Sequence, residues 1–550
     1  MKIALAQINF KVGDFKGNSS KIIEAIVRAR LGGAALVVFS ELSVCGYPPL
    51  DLLEMNDFLD SCSESVNQIA HHCKGIAAIV GAPSKNGNNY GKKLYNSAYV
   101  LENQAIKSIY NKGLLPNYDV FDEYRYFEPA TSFKIVEVAG KRIALTICED
   151  LWNVDDRPLY NINPMGQLSA QKPELIVNIA ASPFSWSHAR AREKTFSENA
   201  IRYKLPLIVV NQLGCNCELL FDGRSAAYNS KGGLVFSFEP FTEGLEIIDV
   251  EQLRKSSAKP AMVEINENEK NRLIKTAIVN GVKDYFGKLG LKKALVGLSG
   301  GLDSALTLVL AAEALGAENC RAVLLPGPHS SDHSITDARH LAERLGVIHE
   351  VISINSTVKA LEKSLEDQFN GTQYGIAEEN LQARARAIIL MGIANKFGYV
   401  LLNTSNKSEA AVGYGTLYGD MAGGLSVIGD IYKTEAYSLA RYINHHEEII
   451  PRNTIEKLPS AELKPNQLDT DSLPPYDVLD VILYQFIEQK LPARQIIANG
   501  FDENLVKNVL QRVNSNEYKR KQTPPVLRVS TKAFGPGRRI PLVACFGSLQ

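Results

Sequence analysis

The strongest constraint on the fold of this chain comes from residues 294–315, ALVGLSGGLDSALTLVLAAEAL. This segment predicts a buried strand, a turn at Gly300 and Gly301, and an apolar helix that starts near Asp303. The glycines allow backbone N–H groups to face an anion, and the helix adds the positive end of its dipole. We therefore expect a phosphate-binding loop at the carboxyl edge of a parallel sheet.

The residues after this loop continue the alternation of strands and helices. Apolar runs of strand length occupy 321–325, 347–354 and 399–403, and helical runs occupy 304–315, 334–345 and 377–397. Such alternation predicts an α/β domain with a doubly wound, Rossmann-like parallel sheet.

The first part of the chain has a different pattern. One amphipathic helix is predicted over Ser19–Leu31, with Asn18 or Ser19 as its N-cap. Strand-length runs rich in Val and Ile follow at 35–39, 76–80, 97–101, 143–147, 175–179 and 207–210, without helices predicted between them. Turn signals such as Asn86-Gly87 favour antiparallel or mixed pairing, so we expect a β-rich sandwich with flanking helices.

A charged, irregular stretch separates these two parts. With 550 residues, the chain exceeds what one hydrophobic core usually supports. Residues 251–270, EQLRKSSAKPAMVEINENEK, have the composition of a linker. The predicted organisation is therefore a domain over 1–250, a linker over 251–270 and a second domain over 271–550.

Composition excludes several classes of function. The chain has 60 Lys and Arg against 60 Asp and Glu, so no net charge favours nucleic-acid binding. No apolar run is long enough for a membrane span, and the N-terminus lacks an export signal. Eight cysteines without framework spacing indicate reduced thiols and a cytoplasmic location. Cys215 and Cys217 are too close for a standard zinc pair.

The glycine turn carries a more specific signal. It lacks the lysine of a P-loop, and Ser299-Gly-Gly-x-Asp303-Ser304 instead resembles the pyrophosphate-binding loop of the ATP pyrophosphatases, which cleave ATP to AMP and pyrophosphate. That resemblance implies that Asp303 helps to hold Mg²⁺, which prefers hard oxygen ligands. It also implies a set of ATP-binding residues: Gly297, Leu298, Ser299, Gly300, Gly301, Leu302, Asp303 and Ser304.

The remainder of the second half resembles the NAD synthetase family. The segments ENLQARAR, LLNTSNKSEAAVGYGTLYGDMAGGLSVIGDIYKTE and EYKRKQTPP…KAFGPGRRIP match its order and spacing, the last of them in bacterial glutamine-dependent members. The resemblance implies that Thr404 and Lys433 contact ATP and that Glu409 is a second Mg²⁺ ligand. It further implies that deamido-NAD contacts four residues: Asn380, Arg384, Glu409 and Lys519.

Three residues in the first half are candidates for covalent catalysis. Glu41, Lys112 and Cys148 each follow a predicted strand, so they can meet at one rim of a sheet. A cysteine nucleophile requires a base, and a nearby lysine lowers the thiol pKa and stabilises an oxyanion. Taken alone, a cysteine at a strand end is more often a packed core residue.

Three ordered motifs, SELSVCGYPP, NKGLLPNYDVFDEYRYF and TICEDLW, resemble the nitrilase or carbon–nitrogen hydrolase superfamily. The resemblance covers about residues 1–250 and implies an αββα sandwich with Glu41 as base, Lys112 as assisting cation and Cys148 as nucleophile. In the glutamine-dependent subgroup, Tyr118, Glu123 and Ser182 would contact glutamine. The family commonly has a basic residue six positions after Ser182, where this chain has His188.

Together, these resemblances imply an enzyme that takes ammonia from glutamine and uses it to amidate ATP-activated deamido-NAD. ATP, glutamine and deamido-NAD are the expected small-molecule partners, and Mg²⁺ is the expected metal. The family suggests a homodimer through the synthetase domains, or a larger homo-oligomer. Two alternatives stay open: an amidase fused to a nucleotide-binding regulatory module, and an ammonia ligase for another acceptor.

Overall fold

The computed structural model describes residues 1–154, 158–216, 218–260 and 264–544. The chain divides into two compact units, Met1–Ile265 (unit 1) and Asn266–Gln550 (unit 2). The expectation about a zinc pair involves Cys217, which lies outside the described residues. Across the described ranges, no helix is both long enough and apolar enough to cross a membrane.

Unit 1 combines a mixed set of strands with five helices in its described part. The helices are α1 (Phe15–Leu31), α2 (Asn56–His71), α3 (Pro164–Ser169), α4 (His188–Tyr203) and α5 (Val250–Lys255). The strands are β1 (Lys2–Gln7), β2 (Leu36–Val38), β3 (Ala77–Lys85), β4 (Leu94–Glu102), β5 (Ala105–Asn111), β6 (Val136–Val138), β7 (Lys141–Ile147), β8 (Leu175–Ala180), β9 (Leu207–Asn211), β10 (Leu213–Asn216), β11 (Leu219–Asp222), β12 (Ala226–Tyr228), β13 (Leu234–Ser237) and β14 (Gly244–Asp249).

Two sheets form the centre of unit 1. Within the described residues, one has the order β14-β1-β2-β3-β4-β5 and the other β13-β12-β9-β8-β7-β6, while β10 and β11 form a separate hairpin. Each large sheet contains parallel and antiparallel pairs. Alternate apolar residues of both sheets share one core, including Leu5, Val100, Leu145 and Val209. Helices α1 and α2 cover the first sheet, and α3 and α4 contact the second, which gives the αββα layers.

Unit 2 alternates strands and helices before a helical C-terminal part. Its strands are β15 (Ala294–Gly297), β16 (Cys320–Leu324), β17 (Ile348–Val351), β18 (Val400–Asn403) and β19 (Leu425–Ser426). Its helices are α6 (Glu267–Leu289), α7 (Leu302–Leu315), α8 (Asp332–Leu345), α9 (Asn355–Phe369), α10 (Ile376–Phe397), α11 (Lys407–Val412), α12 (Lys433–Ile443), α13 (Arg452–Glu456), α14 (Tyr476–Ile487), α15 (Ala493–Ala498), α16 (Glu503–Ser515) and α17 (Glu517–Arg520).

The unit 2 sheet is parallel throughout, with the order β17-β16-β15-β18-β19 in the described residues. The chain moves outward from β15 to β17 and then returns to the other side of β15 at β18. Right-handed crossovers consequently place helices on both faces. The switch point lies between β15 and β18, where ligands usually bind in such sheets.

The structure confirms the predicted fold class and corrects three details in unit 1. Helix α1 begins four residues earlier than predicted, and its N-cap is Asp14, whose carboxylate accepts a hydrogen bond from the Gly17 amide. Helices α2, α3 and α4 separate strands that were expected to follow one another without helices. Helix α3 has only six residues, and α4 buries the polar residues Arg192 and Asn199, so both lack a clear apolar periodicity.

Candidate functional sites

In unit 1, Cys148 occupies a sharp turn directly after β7. The backbone of Cys148 has a φ of +44°, a left-handed conformation that residues other than glycine rarely adopt. The Asp150 carboxylate holds this turn by accepting hydrogen bonds from the amides of Ile147 at 3.0 Å, Gly113 at 3.0 Å and Leu114 at 2.9 Å. Burial raises the pKa of Asp150 to about 6. The turn that carries Cys148 is thereby fixed to the segment that follows Lys112.

Lys112 is completely buried and forms ion pairs with two carboxylates. Its Nζ lies 2.7 Å from Glu41 Oε1 and 2.8 Å from Glu123 Oε2. The Asn96 side-chain amide donates to Glu41 at 2.7 Å and to Glu123 at 3.2 Å, and the Tyr47 hydroxyl donates to Glu123 at 3.0 Å. The structure therefore brings Glu41, Lys112 and Glu123 together in one network of charged groups.

The electrostatics of this network bear on the state of the nucleophile. Burial alone would lower the pKa of Lys112, but the Glu123 and Glu41 carboxylates raise it above its usual value, so the amine is charged. Burial and then Glu41 raise the pKa of the Cys148 thiol, and only Lys112 among the major influences lowers it. Lys112 lowers the thiol pKa, as expected from the sequence, but burial and Glu41 outweigh its effect, so the net pKa is raised. The resting thiol is protonated and needs a base.

Beside Cys148, two phenols converge on one carboxylate oxygen. The hydroxyls of Tyr118 and Tyr160 donate to Glu149 Oε1 at 2.8 Å and 3.0 Å. Burial raises the pKa of Glu149. Tyr118 was predicted from the sequence, whereas Glu149 and Tyr160 were missed. Adjacency to Cys148 was the only sequence signal for Glu149, and Tyr160 lies in an irregular segment without a pattern.

Ser182 and His188 also lie together. Ser182 Oγ is 3.4 Å from His188 Nε2, and the His188 ring stacks on Trp152 with 5.2 Å between centroids. The Asn211 side chain accepts a hydrogen bond from the Ser182 amide at 2.8 Å. Nearby, Arg192 forms a buried ion pair with Asp222 at 2.5 Å. The hydrogen bond to Asn211 thus fixes the Ser182 backbone, and the stacking on Trp152 fixes the His188 ring.

In unit 2, the glycine loop connects β15 to α7 at the switch point. Gly300 has φ of +81°, and a Cβ there would lie 2.2 Å from the Ser334 carbonyl oxygen, so only glycine fits. The Ser304 hydroxyl accepts a hydrogen bond from the Ser299 amide at 3.2 Å, and Ser299 Oγ accepts one from Gly301 N at 3.2 Å. The loop therefore places small hydroxyl side chains and backbone amides at the start of α7.

A cavity of about 300 Å³ opens in front of this loop. Glu409 lines this cavity together with nine of the residues predicted to bind ATP. The nine are Gly297, Leu298, Ser299, Gly301, Leu302, Asp303, Ser304, Thr404 and Lys433. Gly300 lies behind the lining, against Ser334. Residues distant in sequence converge here because the loops after β15 and β18 leave the same edge of the sheet.

Lys433 forms ion pairs with two carboxylates in this cavity. Its Nζ contacts Asp303 and lies 3.5 Å from Glu409 Oε1, and Asn406 donates to Asp303 at 3.2 Å. Burial and then the charge of Asp303 raise the pKa of Glu409 to about 8. Burial would lower the pKa of Lys433, but Asp303 and Glu409 raise it above its usual value.

The residues present fit a magnesium ion. Asp303 and Glu409 present hard oxygen donors to one cavity that also holds a phosphate-type loop. Over the described part of the chain, no three or more His, Cys, Asp or Glu side chains are grouped to hold a metal ion by themselves. Phosphate oxygens would therefore have to complete the coordination.

Asn380, Arg384 and Lys519, predicted to contact deamido-NAD, contact one loop beside the cavity. Thr416 donates to Asn380 at 2.7 Å, and Arg384 donates to the Leu417 carbonyl at 3.2 Å. Lys519 donates to the carbonyls of Gly413 and Gly415 at 2.7 Å and 2.8 Å. These three side chains are absent from the cavity lining, and they brace residues 413–417, which adjoin it.

Three carboxylates that line the cavity were missed from the sequence: Asp420, Glu462 and Asp469. Asp469 accepts hydrogen bonds from Tyr476 at 2.9 Å and Tyr414 at 3.2 Å, and it lines the cavity together with Tyr414. Burial raises its pKa. Asp469 begins a 3-10 helix of only three residues, so neither periodicity nor a strand end could have predicted its place.

Comparison with known proteins gives matches over both units. The carbon–nitrogen hydrolase family matches residues 2–259, and the NAD synthase family matches residues 274–523. A protein of Synechocystis sp. named glutamine-dependent NAD(+) synthetase is 44% identical, with 99% of each chain covered. The enzyme of the same name from Thermotoga maritima is 38% identical, again with 99% of each chain covered.

Solved structures agree with these matches. The glutamine-dependent NAD+ synthetase of Acinetobacter baumannii, solved in complex with ADP, is 37% identical with a TM-score of 0.76, and 98% of each chain is covered. The glutamine-dependent NAD(+) synthetase of Cytophaga hutchinsonii has a TM-score of 0.83, and the match covers 99% of this chain and 98% of that one. At 22% identity, this similarity supports the fold alone.

Proposed function

This chain belongs to the glutamine-dependent NAD(+) synthetase family, and we propose that it makes NAD from deamido-NAD, ATP and glutamine, releasing AMP, pyrophosphate and glutamate. The observation that carries the proposal is the presence, in one chain, of a buried Glu–Lys–Cys centre and a phosphate-type loop beside a charged cavity. Relatives of the same name match both halves over nearly their whole length. The proposed division is a glutaminase domain at 1–250, a linker at 251–270 and a synthetase domain at 271–550.

In the glutaminase half, Cys148 attacks the side-chain amide of glutamine. Glu41 accepts the thiol proton, which the raised pKa of Cys148 makes necessary. Lys112 stabilises the developing oxyanion, and Glu123 holds Lys112 in place. Glu41 returns the thiol proton to the amide nitrogen, so ammonia leaves, and the freed Glu41 carboxylate then activates the water that hydrolyses the thioester to glutamate.

The groups around Cys148 would orient the glutamine backbone. Glu149, held by Tyr118 and Tyr160, offers a carboxylate for the α-ammonium group. Ser182 and His188 offer hydrogen-bond donors for the α-carboxylate. Together these contacts would distinguish a free amino acid from a simple amide.

In the synthetase half, the nicotinate carboxylate of deamido-NAD attacks the α-phosphate of ATP, and pyrophosphate leaves. The loop from Ser299 to Ser304 would hold the pyrophosphate, with Thr404 beside it, and Lys433 would stabilise the charge that develops on it. Asp303 and Glu409 would hold Mg²⁺, which supplies further charge neutralisation when bound. Ammonia then displaces AMP from the adenylate and gives NAD. Asn380, Arg384, Glu409 and Lys519 are the proposed contacts of deamido-NAD.

The test compares nitrogen sources in a Cys148→Ala variant. We expect NAD formation from glutamine to disappear and NAD formation from ammonium chloride to persist, each measured with deamido-NAD and ATP. Cys73→Ala is the matched control, because Cys73 is a buried thiol of the same unit on the other face of the first sheet. Glutamine-driven synthesis by Cys148→Ala would reject the nucleophile.

The same assay separates the two alternatives. An amidase with a regulatory nucleotide module would release no pyrophosphate from ATP. A ligase for another acceptor would prefer XMP or aspartate to deamido-NAD. The intact pair of Asp303 and Glu409 speaks against a binding-only module, which has no need of metal ligands.

Assembly and location are further proposals. We propose a homodimer, or a larger homo-oligomer, through the synthetase half, because α10 exposes Ile376, Ile388 and Met391. Light scattering of wild type and Ile388→Glu tests this proposal, with a monomeric variant as the expected result. A reducing, cytoplasmic location is supported by five buried, unoxidised thiols among the described residues: Cys45, Cys62, Cys73, Cys148 and Cys320.

A further inference from the structure

The C-terminal tail, residues 525–531, lies beyond the region that matches the NAD synthase family, which ends at residue 523. It has no helix, yet most of it is buried. Polar groups of the tail contact β19, which bonds the residue before Thr404, and two further segments of unit 2 that carry Glu409 and Lys433.

The first contact extends the sheet. The Ser426 amide donates to the Pro525 carbonyl at 2.8 Å, and the Leu527 amide donates to the Ser426 carbonyl at 3.3 Å, which pairs the tail in parallel with β19. The Ser426 hydroxyl in turn donates to Asn403 at 3.1 Å. Asn403 directly precedes Thr404 at the edge of the ATP cavity.

The second and third contacts meet at Ser530. Asp430 accepts hydrogen bonds from Val529 N at 2.8 Å, Ser530 N at 2.7 Å and Ser530 Oγ at 2.8 Å. Lys407 donates to the same Ser530 hydroxyl at 2.8 Å and pairs with Asp430 at 2.9 Å. Lys407 lies two residues before Glu409, and Asp430 lies three residues before Lys433.

These groups are fully enclosed. Lys407 and Asp430 have side chains without exposed surface, and Glu488 completes the cluster at 2.8 Å from Lys407. The Ser530 hydroxyl donates to Asp430 and accepts from Lys407, so one oxygen joins the segments that carry Glu409 and Lys433. Buried charges lose their geometry when such a partner is removed, because no water replaces it.

We propose that the tail segment 525–531 positions Thr404, Glu409 and Lys433 for NAD synthesis, and that Ser530 is its main positioning residue. This inference rests on the proposed function. A hydroxyl outside the cavity would thereby control the relative placement of groups inside it, where displacements of well under 1 Å alter rates.

The experiment measures ammonia-driven NAD formation in Ser530→Ala, Ser530→Thr and Ser515→Ala. Ser515→Ala is the control, since Ser515 is an exposed serine whose hydroxyl donates to the Arg512 carbonyl at 3.3 Å. We expect kcat to fall about ten- to a hundred-fold in Ser530→Ala with the KM for ATP changed much less. Ser530→Thr, which keeps a hydroxyl, should recover most of the loss, and Ser515→Ala should match wild type.

The wild-type rate separates this proposal from the function on which it rests. If wild type makes no NAD from ammonia, the proposed function fails. If wild type is active and Ser530→Ala equals it, the positioning role is rejected. A loss that Ser530→Thr does not recover, and that parallels a lower melting temperature, also rejects it. Should Ser530→Ala not fold, Thr531→Val removes the neighbouring bond to Glu488, and an unchanged kcat there would overturn the proposal.

Discussion

The two halves of this protein each contain a lysine paired with two carboxylates, yet the two centres are built differently. In unit 1, Lys112 and Glu41 have no exposed side-chain surface, and Glu123 is 6% exposed. In unit 2, Lys433 is nearly buried, but Asp303 and Glu409 are each 17% exposed toward a cavity. The formal charges are the same, so the difference lies in how the second carboxylate is stabilised.

In unit 1 the protein supplies that stabilisation itself. Asn96 and Tyr47 donate to the carboxylates, and the Ala181 amide donates to Glu41 at 2.9 Å. In unit 2, Asn406 donates to Asp303, while the charge of Asp303 helps to raise the pKa of Glu409 to about 8. A closed, satisfied centre suits covalent catalysis on a small amide. An open centre with two carboxylates beside a phosphate-type loop suits a metal cation together with the phosphate groups that it binds.

Removing each lysine gives the largest expected effects and tests this comparison directly. In Lys112→Met, two buried carboxylates lose their cation, so we expect unit 1 to lose about 3–5 kcal/mol of unfolding free energy and all measurable glutaminase activity. Lys433→Met should destabilise unit 2 less, because its carboxylates reach solvent in the cavity. Both tryptophans, Trp152 and Trp186, belong to unit 1, so urea unfolding followed by tryptophan fluorescence reports on that unit.

Circular dichroism of the same samples reports on the helices of unit 2 as well. Equal destabilisation by the two lysine substitutions would mean that the openness of the second centre does not matter for its stability.

Neutralising Asp303 should impair only the open centre of unit 2. Asp303→Asn keeps the shape of the side chain but removes a charge that faces Lys433 and the proposed metal. We expect NAD formation to fall about a hundred- to a thousand-fold with either glutamine or ammonia, because transition-state charge is no longer balanced. Asp367→Asn, on the exposed face of α9, is the control. Selective loss of glutamine-driven synthesis would contradict the assignment of Asp303 to the synthetase step.

Weakening glutamine recognition at the closed centre of unit 1 should have a smaller effect. Glu149→Gln is isosteric, so Tyr118 and Tyr160 keep an acceptor, but the negative charge is lost. We expect the KM for glutamine to rise about ten- to a hundred-fold, with kcat and ammonia-driven synthesis nearly unchanged. Glu137→Gln, exposed on β6, is the matched control. A fall in kcat at constant KM would place Glu149 in the chemistry instead of in binding.

Positions that follow strands could be predicted from the sequence. The loop after β15 and the turn after β7 lie where apolar runs end, and polar residues at such ends meet at one edge of a sheet. The fold class could be predicted for the same reason, since strand and helix periodicities persist through both halves. The roles of the individual site residues stay predictions until the variants are measured.

Other features depend on contacts that no local pattern encodes. Helix α4 buries the polar residues Arg192, Thr195 and Asn199, so its buried face gives little apolar signal in the sequence. Glu149 gains its place from two distant tyrosines, and Asp469 gains its place from Tyr414 and Tyr476. The net pKa shift of Cys148 depends on burial, which the sequence motif does not report.

The smallest expected effect is a change in the reactivity of the Cys148 thiol. It separates the influence of burial on the thiol pKa from the influence of charge. Burial comes first among the causes that raise the Cys148 pKa, and Glu41 comes second. Alkylation by iodoacetamide requires the thiolate, so in wild type its rate at Cys148 should still be rising with pH at about pH 9. Glu41→Gln removes a negative charge while Lys112 stays, so the thiol pKa should fall and alkylation at neutral pH should increase several-fold.

Mass spectrometry of the Cys148 peptide measures this rate in the absence of glutamine. The variant would then have a more reactive nucleophile and no glutaminase activity, because the base is missing. An unchanged pH dependence in Glu41→Gln would mean that burial alone sets the thiol pKa, and that the closed centre controls its nucleophile by excluding water and not by its charges.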